Sequence, residues 1–411
     1  MTEKTKPKFF YGYVIVAAGF LINMATWGTL YSFGIFFKPV LSEFGWTRAA
    51  TAGAYSLCII FSGIGNVIVG RLTDRFGPRM VVAVFGIVMG AGYILVSQIH
   101  AIWQFYLYYG VLLGIGTSVN IVPLASTISR WFIKRRGMMM GIIVSGIGIG
   151  TFIMPPIANW LITTYSWRNS YLVVGIAVLL LMVVAAQFLR HDPRQMGLSP
   201  YGESEAGKSS SHLSIGGLSL SQAISTRQFW MVCAMYFCWG FAAQLVIVHI
   251  VPHATDLAVP TAQAASVLAL VGGISVAGRL GLGGASDRIG SKTTAVICFI
   301  LLSVALLWLP LARELWMFYL FAVVYSLGYG GLVALQTLLI ADLFGVISLG
   351  VILGMIIFIG ALGEAVGPAV GGWIFDVTGS YRWAFLASAL LCILAIFLTA
   401  LLKPVTQKNR G

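Results

Sequence analysis

Charged side chains are scarce in this sequence of 411 residues, because Asp, Glu, Lys and Arg together make up only 9% of it. Hydrophobic residues account for 59%, and the mean hydropathy is +0.93. A water-soluble core of ordinary proportions cannot hide that much apolar surface. The scarcity of charge therefore excludes a soluble globular protein and predicts an integral membrane protein.

The alternation of polar and apolar residues that marks a membrane strand is also missing. The apolar segments run to about 20 residues or more, which at ~1.5 Å per helical residue matches a hydrocarbon core about 30 Å thick. Outer-membrane barrels instead show segments of about ten residues with alternating polarity. We therefore predict an all-α membrane protein whose surroundings are the lipid bilayer.

Acidic residues are few, since 12 Asp and Glu stand against 25 Lys and Arg, a formal net charge of +13. In a soluble protein this excess would suggest nucleic-acid binding, but in a membrane protein basic residues collect in the cytoplasmic loops. Most Lys and Arg fall in alternate loops and near the two ends of the chain. This distribution predicts cytoplasmic N and C termini and no nucleic-acid partner.

Catalytic and cofactor motifs are absent from the sequence. It contains no HExxH, GxSxG, Walker A or CxxC pattern, and its loops leave little material for a catalytic domain. Its five cysteines lie inside apolar segments without metal-ligand spacing, so we interpret them as packing residues. We therefore expect a protein that is not an enzyme and that has no cofactor or metal.

Apolar segments follow one another along the chain, separated by clusters of charged residues, Pro or Gly. The predicted membrane spans are 11–40, 49–72, 79–98, 102–129, 137–164, 169–189, 228–255, 262–285, 292–311, 314–341, 348–375 and 382–402. A long polar loop, 191–227, divides a six-helix half at 1–190 from a second at 228–411. The tail of this linker, LSLSQAISTR, predicts a short amphipathic helix at the interface.

The two predicted halves resemble each other. Residues 70–79 are GRLTDRFGPR and residues 283–292 are GGASDRIGSK, so the two copies lie 213 residues apart. Further landmarks kept at this spacing are Gly141 with Gly354 and Pro155 with Pro368. The repeat predicts two pseudo-symmetric halves. Over essentially its whole length the chain thus resembles the major facilitator superfamily of secondary transporters, whose matching loops join helices two and three and helices eight and nine.

Three short segments of the sequence narrow this resemblance. Residues 131–150, WFIKRRGMMMGIIVSGIGIG, are similar to the entry into the fifth helix of the monocarboxylate porter family, and residues 29–40, TLYSFGIFFKPV, are similar to its first helix. Residues 192–202, DPRQMGLSPYG, resemble the start of the linker in bacterial monocarboxylate and oxalate/formate-type porters. The resemblance places the chain among these neighbouring families without separating them.

Arg279 stands alone inside a predicted membrane span. An unpaired arginine at the centre of a membrane helix costs about 2.5–3.5 kcal/mol, so it needs a carboxylate, a carbonyl or a water-filled cavity. One hypothesis is a structural ion pair, and the other is that the guanidinium binds a substrate carboxylate through two parallel hydrogen bonds. The eighth segment contains no acid to pair with it, which favours the second. The resemblance implies the same, because an arginine of this helix binds the substrate in monocarboxylate porters.

The sequence departs from animal monocarboxylate porters at two positions next to this arginine. Ser275 stands where they carry an aspartate, and Tyr31 stands where they carry a lysine. Their proton relay therefore cannot be transferred to this chain. The candidate proton-coupling residues are Glu364, His249 and Asp256. Glu364 and His249 are predicted to lie deep in the membrane, and Asp256 is predicted to lie near the outer end of the seventh helix. A third route remains open, in which the anion itself carries the proton.

Further candidate residues follow from their positions on the helices. Besides Arg279, the candidates for the wall of the substrate cavity are Asn120, Tyr31, Ser32, Tyr329 and His249. The superfamily resemblance implies a different role for Asp74, Arg75, Asp287 and Arg288, at the cytoplasmic ends of the second and eighth helices. There, charge and helix-end contacts would hold the inner side closed in one state and release it in the other.

The sequence therefore predicts secondary transport of a small monocarboxylate such as lactate or pyruvate, coupled to protons, by alternating access of the two halves. The expected location is the cell membrane, as a multi-pass protein of bacterial origin. Two alternatives remain open. One is anion exchange of the oxalate/formate type, and the other is a transporter-like sensor that binds a ligand without moving it.

Overall fold

The computed structural model describes residues 10–119, 121–202, 218–345 and 348–403. The membrane helices within them are α1 (Gly12–Phe44), α2 (48–76), α3 (78–96), α4 (Ile102–Trp131), α5 (Arg136–Thr164), α6 (Trp167–Phe188), α7 (Arg227–Asp256), α8 (Thr261–Ile289), α9 (Ser291–Leu311), α10 (Leu315–Phe344), α11 (Leu349–Thr378) and α12 (Arg382–Leu401). The all-α membrane architecture predicted from composition is confirmed. The chain is a multi-pass membrane protein.

Helices α2 and α3 form one continuous stretch, Arg48–Val96, of 49 residues, about twice the length that one crossing needs. Gly77 interrupts it with φ 79° and ψ 159°, a conformation that costs glycine less than any other residue. Pro78 follows, at a position where a helix start tolerates the missing N–H. If this break is ignored, the described residues contain 11 spanning helices. If α2 and α3 are counted as separate helices, the described residues contain the twelve that the sequence predicts.

Short turns end the helices close to the predicted boundaries, although several helices are longer than expected. Helix α1 continues to Phe44 and then stops at Gly45, which has φ 65° and whose amide donates to the carbonyl of Leu41 at 2.9 Å. The hydroxyl of Thr47 then accepts from the amide of Ala50 at 3.1 Å and starts α2. Three residues separate the end of α1 from the first residue of α2, so the two helices form a hairpin on the outer side.

Close helix contacts are repeated in the two halves. Helix α1 packs on α5, and the corresponding pair α7 and α11 packs in the same way. At Gly28 a Cβ atom would lie 2.7 Å from the backbone oxygen of Gly150, so only glycine permits this approach of α1 to α5. In the other half, a Cβ at Gly363 of α11 would clash with the backbone oxygen of Phe237 in α7, as a Cβ at Gly150 of α5 would with that of Met24 in α1, and both pairs keep the spacing of 213. The packing thus follows the internal repeat.

The two halves touch along α2 with α11 and along α5 with α8. A Cβ at Gly372 would lie 2.7 Å from the backbone of Arg48, where both helices reach the outer side. Toward the cytoplasm these helices separate. At six glycines near the cytoplasmic ends of α5, α8 and α11, no atom lies within 4 Å of a Cβ position; these are Gly137, Gly141, Gly281, Gly284, Gly350 and Gly354. The structure is therefore closed on the outer side and open on the cytoplasmic side.

The described parts of the linker between α6 and α7 bind to opposite halves. The amide of Tyr201 donates to the carbonyl of Trp131 at 2.9 Å, and the amide of Ile133 donates to the carbonyl of Tyr201 at 3.0 Å. At the other end, the amide of Leu218 donates to the carbonyl of Phe344 at 2.9 Å. The short helix predicted in the tail forms over Leu220–Ile224.

Candidate substrate-binding site

Arg279 lies in the middle of α8 and reaches across to the other half. Its side chain is nearly buried, with a residue exposure of 9%. One guanidinium nitrogen, Nη1, donates to the backbone carbonyl of Val144 in α5 at 2.7 Å, while Nε is buried without a partner. Among the described residues no carboxylate lies within ion-pair distance of it. The structural ion pair considered from the sequence is therefore not formed with these residues.

A chain of hydrogen bonds passes beside Arg279 and joins four helices. The hydroxyl of Tyr55 in α2 donates to Oε1 of Gln244 in α7 at 2.8 Å, and Nε2 of Gln244 donates to the hydroxyl of Tyr31 in α1 at 3.3 Å. The hydroxyls of Tyr31 and Tyr329 in α10 are 3.3 Å apart. The backbone of Arg279 packs against Gly330, the neighbour of Tyr329 on α10, so the guanidinium and these last hydroxyls belong to the same region. The arginine and the polar chain thus form one site between the halves.

Glu364 lies on α11 beside the same chain. Its side chain packs against Gly240, one turn before Gln244 on α7, where a Cβ atom would lie 2.9 Å from Cγ of Glu364. The carboxyl is therefore a neighbour of Gln244 and of the tyrosine hydroxyls. Pro368, one turn further along α11, has no N–H, so the backbone carbonyl of Glu364 loses its usual helical donor. An acid, an amide and three hydroxyls therefore meet opposite the arginine.

Two tryptophans extend this cluster with aromatic surface. The rings of Trp27 and Tyr31 are 5.1 Å apart, and those of Trp239 and Tyr329 are 5.9 Å apart and nearly parallel. Both indole nitrogens are buried without a hydrogen-bond partner. The side chains bordering Arg279 thus combine apolar ring faces with unused donors, which suits a small organic anion.

The structure brings together only some of the predicted cavity residues. Arg279, Tyr31 and Tyr329 lie in one cluster, whereas the hydroxyl of Ser32 donates to the carbonyl of Gly28 in its own helix at 2.8 Å. Asn120 lies outside the described residues. Sequence reasoning missed Tyr55, Gln244 and the tryptophans. Gln244 had a detectable signal, because it stands 213 positions after Tyr31, the spacing of the repeat.

His249 and Asp256 belong to a second cluster, on the outer side. Asp256 pairs with Lys38 at 2.6 Å and accepts two hydrogen bonds from Arg48, at 2.7 and 3.0 Å. Arg48 also donates to the hydroxyl of Tyr381 at 2.8 Å, and that hydroxyl lies 3.1 Å from Nδ1 of His249. Because these contacts join α1 and α2 to α7 and to the turn before α12, the cluster closes the outer side.

The contact of His249 with Pro368 assigns the direction of the hydrogen bonds that the His249 ring makes in the outer cluster. Nε2 of His249 lies 2.8 Å from the carbonyl of Pro368, so it must donate, and Nδ1 then accepts from Tyr381.

Both carboxylate oxygens of Asp376 in α11 accept backbone amides at the start of α2, at 2.9 and 2.8 Å. Negative charge is favourable at a helix N-terminus. The halves are thus joined by ion pairs and by a helix cap.

The predicted gating residues lie at the cytoplasmic surface. Asp74 is 67% exposed in its side chain and pairs with Arg130 of its own half at 3.0 Å. Arg130 also contacts His191, whose pKa is lowered by burial and, next, by the charge of Arg130. Arg75, Asp287 and Arg288 are exposed. Among the described residues, none of these groups pairs across the halves, as expected where the inner side is open.

Metal ligation has no support in the described part of the chain, which contains no group of three or more His, Cys, Asp or Glu side chains that could hold an ion. The chemistry available at the Arg279 cluster is instead that of an anion site. It offers a fixed positive charge, hydroxyl and indole groups, and one titratable carboxyl, all on helices that belong to two different halves.

Comparison with known proteins identifies the family and several relatives of this chain. The sequence model of the Major Facilitator Superfamily matches residues 16–293 and 280–411. Monocarboxylate transporter 12 of Mus musculus is 27% identical over 429 residues, covering 97% of this chain and 87% of that protein. Monocarboxylate transporter 13 of Rattus norvegicus is 26% identical over 404 residues, covering 94% and 88%.

A solved structure shows the same fold. The crystal structure of a bacterial homologue of the human lysosomal transporter Spinster, in an inward-facing and occupied conformation, superposes with a TM-score of 0.78 at 14% identity and covers 97% of each chain. Because the family model covers nearly all of the sequence, the inference of a transporter and not an enzyme is confirmed. The chain belongs to the Major Facilitator Superfamily of membrane transporters.

Proposed function

We propose that the protein is a proton-coupled secondary transporter of a small organic monocarboxylate of the lactate and pyruvate class. The observation that carries this proposal is Arg279, which lies nearly buried between the halves with an unused Nε and no carboxylate partner among the described residues. A substrate carboxylate would supply the missing acceptor and compensate the charge. The similarity to proteins named monocarboxylate transporters points to the same substrate class.

Arg279 holds a weaker acceptor until the substrate arrives. Its hydrogen bond to the Val144 carbonyl, at 2.7 Å, partly compensates the buried charge. A carboxylate forms stronger, charge-assisted bonds with a guanidinium than a carbonyl does. We infer that the anion replaces Val144 as acceptor, with the Tyr31 and Tyr329 hydroxyls beside it. Because Val144 belongs to the other half, this exchange links substrate binding to the contact between α5 and α8.

Glu364 is the proposed proton site. It is the predicted coupling residue that lies beside the Arg279 cluster, through Gln244. The other two candidates, His249 and Asp256, lie in the outer cluster, where their polar atoms are engaged with Pro368, Tyr381, Lys38 and Arg48. An uncompensated charge inside the membrane is costly, so a proton bound at Glu364 lets the halves reorient with less net charge. The outer cluster would then serve as the outer gate.

The moving units in this proposal are the two halves, 1–190 and 228–411, joined by the linker 191–227. The outer gate is closed in the described conformation, and the loops with Asp74, Arg75, Asp287 and Arg288 would form contacts between the halves when the inner side closes. We place the protein in the cell membrane, with its termini in the cytoplasm. The relatives compared above come from mouse and rat, so they lend no support to a bacterial source.

Uptake of radiolabelled lactate into proteoliposomes tests the proposal. The purified protein is reconstituted with an imposed pH gradient, once without internal anion and once with trapped lactate or oxalate. Accumulation driven by the inward proton gradient without internal anion supports symport. Accumulation only with a trapped anion would instead establish exchange of the oxalate/formate type. Saturable lactate binding with no uptake under any gradient would indicate a sensor and contradict the proposal.

A further inference from the structure

A polar cavity of about 380 Å³ lies at the cytoplasmic side of the first half, away from the Arg279 cluster. It is bordered by the turn between α2 and α3 and by the chain that leaves α6. The ionisable side chains that line it are Asp74, Arg75, Arg79, Arg190 and His191. The proposed transport cycle uses Asp74 and Arg75 in the loop beside this cavity, but it assigns no ligand to the cavity itself.

Three arginines line this cavity without an anionic partner. Arg79 bonds to the neutral side chain of Gln187, and Arg190 donates to the backbone carbonyls of Gln187 and Leu189. Arg75 lies over the ring of Phe76, its guanidinium carbon 5.2 Å from the ring centroid. None of the three pairs with a carboxylate of the described residues. The cavity therefore has an excess of positive charge.

The remaining ionisable groups do not cancel this excess. Arg130 pairs with Asp74 at 3.0 Å, so the negative charge of the Asp74 carboxylate is already neutralised. His191 contacts Arg130, and its pKa is lowered by burial first and by the charge of Arg130 next, which disfavours the charged imidazolium. A ligand with one or two negative charges would thus compensate part of the charge of the three arginines, and phosphate oxygens match the planar guanidinium especially well.

The surface next to the cavity indicates the source of that phosphate. Phe76, the last residue of α2, is exposed by 49%, and Met80, Val84 and Ile87 on α3 are exposed by 46% or more each. On the final turns of α6, Val184 and Phe188 are exposed as well. Exposed apolar side chains on a membrane helix face hydrocarbon. A soluble phosphate compound would have no use for such a surface, whereas the acyl chains of a phospholipid would lie on it.

We propose that this cavity is a binding site for an anionic phospholipid of the cytoplasmic leaflet. The phosphate lies between Arg75, Arg79 and Arg190, and the acyl chains run along the apolar faces of α3 and α6. The proposal does not depend on the transported substrate. It also places a lipid against the turn that carries Asp74, so the lipid composition of the membrane would influence the same loop that the resemblance assigns to gating.

The second half offers a matched control. At the spacing of the repeat, Arg79 corresponds to Lys292 and Arg190 to Lys403. Lys292 donates to the carbonyl of Leu402 at 2.8 Å. Substituting Lys403 removes one basic charge at the corresponding cytoplasmic position without touching the cavity. It therefore separates binding in the cavity from general attraction of anionic lipid to a basic surface.

Binding of short-chain phosphatidylglycerol to the full-length purified protein, measured by native mass spectrometry, tests the site. Phosphatidylcholine of the same chain length and inorganic phosphate are the comparison probes. We expect phosphatidylglycerol to bind more tightly than either, and Arg79→Gln and Arg190→Gln each to weaken it about fivefold. Arg79→Lys should retain most of the affinity, and Lys403→Gln should leave it unchanged.

Other results would overturn the proposal. Equal affinity for phosphatidylcholine would show that the charge is not recognised, and equal affinity for inorganic phosphate would show a soluble-anion site instead of a lipid site. A loss in Lys403→Gln as large as in Arg79→Gln would indicate surface charge alone. If Arg190→Gln does not fold, Arg75→Gln provides the same test, because Arg75 makes no hydrogen bond to a described residue.

Discussion

Tyr31 and Gln244 occupy corresponding positions of the two halves, 213 residues apart, and their side chains are hydrogen bonded to each other at 3.3 Å. This bond lies where the pseudo-symmetry axis must pass, since each half contributes one partner. Tyr55 extends the chain on one side and Tyr329 on the other. The symmetry ends there, because at the repeat spacing of 213 residues Arg279 corresponds to Asn66 and Glu364 corresponds to Thr151. The charged groups therefore make the centre one-sided.

The first prediction concerns Arg279. Arg279→Gln removes the fixed charge, so lactate uptake should fall to background while the protein still inserts and migrates as a monodisperse species. Arg279→Lys keeps the charge but loses the planar fork, so we expect a loss of more than about tenfold in kcat/KM. Uptake in proteoliposomes checks both variants. Wild-type uptake by Arg279→Gln would remove this residue from the substrate site.

The second prediction separates site hydroxyls from packing hydroxyls. Tyr329→Phe should raise the KM for lactate by about fivefold, the effect of losing one hydrogen bond of roughly 1 kcal/mol. Tyr325→Phe is the matched control, one turn earlier on α10, where the hydroxyl makes only a 3.4 Å contact to the carbonyl of Ala243. Initial rates of uptake against lactate concentration measure both. Equal effects in the two variants would contradict a role for Tyr329 in binding.

The third prediction concerns proton coupling. Glu364→Gln keeps the shape and the contact to Gln244 but cannot exchange a proton. Accumulation driven by a pH gradient should therefore be lost, while exchange of labelled for unlabelled lactate at equal pH continues. Glu314→Gln, at an exposed acid before α10, should change neither. Normal gradient-driven accumulation in Glu364→Gln would favour the route in which the anion itself carries the proton.

The fourth prediction concerns the outer gate. Asp256→Asn breaks the ion pairs with Lys38 and Arg48, so the outward-open population should rise by about fivefold, as expected for the loss of ~1 kcal/mol from partly exposed pairs. Electron–electron resonance between spin labels at Ser42→Cys and Gln263→Cys, on the outer ends of the two halves, measures it. Arg313→Gln is the control at an exposed outer arginine. Unchanged distance distributions in Asp256→Asn would exclude a gating role.

The fifth prediction concerns the cytoplasmic loop. Asp74→Asn removes the pair with Arg130, so the rate of transport should fall severalfold while the KM for lactate and the order of preferred substrates stay the same. Asp287→Asn makes the corresponding change in the second half and should act in the same direction. Uptake kinetics with lactate and pyruvate check both. A changed substrate preference would mean that the loop acts on the binding site and not on the conformational step.

Local properties of the sequence determined much of this protein. Hydropathy and the distribution of Lys and Arg are sums over neighbouring residues, so they predicted the spans, the cytoplasmic termini and the isolated charge of Arg279. The repeat predicted two matching halves, and the DRFG and DRIG loops carried the superfamily resemblance. The breaks at Gly77 and Gly290, each a glycine with positive φ, lie in those same loops.

Only the tertiary structure decided which distant side chains meet. From the sequence, His249 was as suitable for the central cavity as Tyr329, because depth along a helix does not specify the direction in which a side chain points. Packing of α7 against α11 directs His249 toward Pro368 and Tyr381, and it directs Gln244 toward Tyr31. The contact of Arg279 with Val144 joins residues 135 positions apart. Such contacts depend on the rotation of whole helices about their axes, which no local pattern specifies.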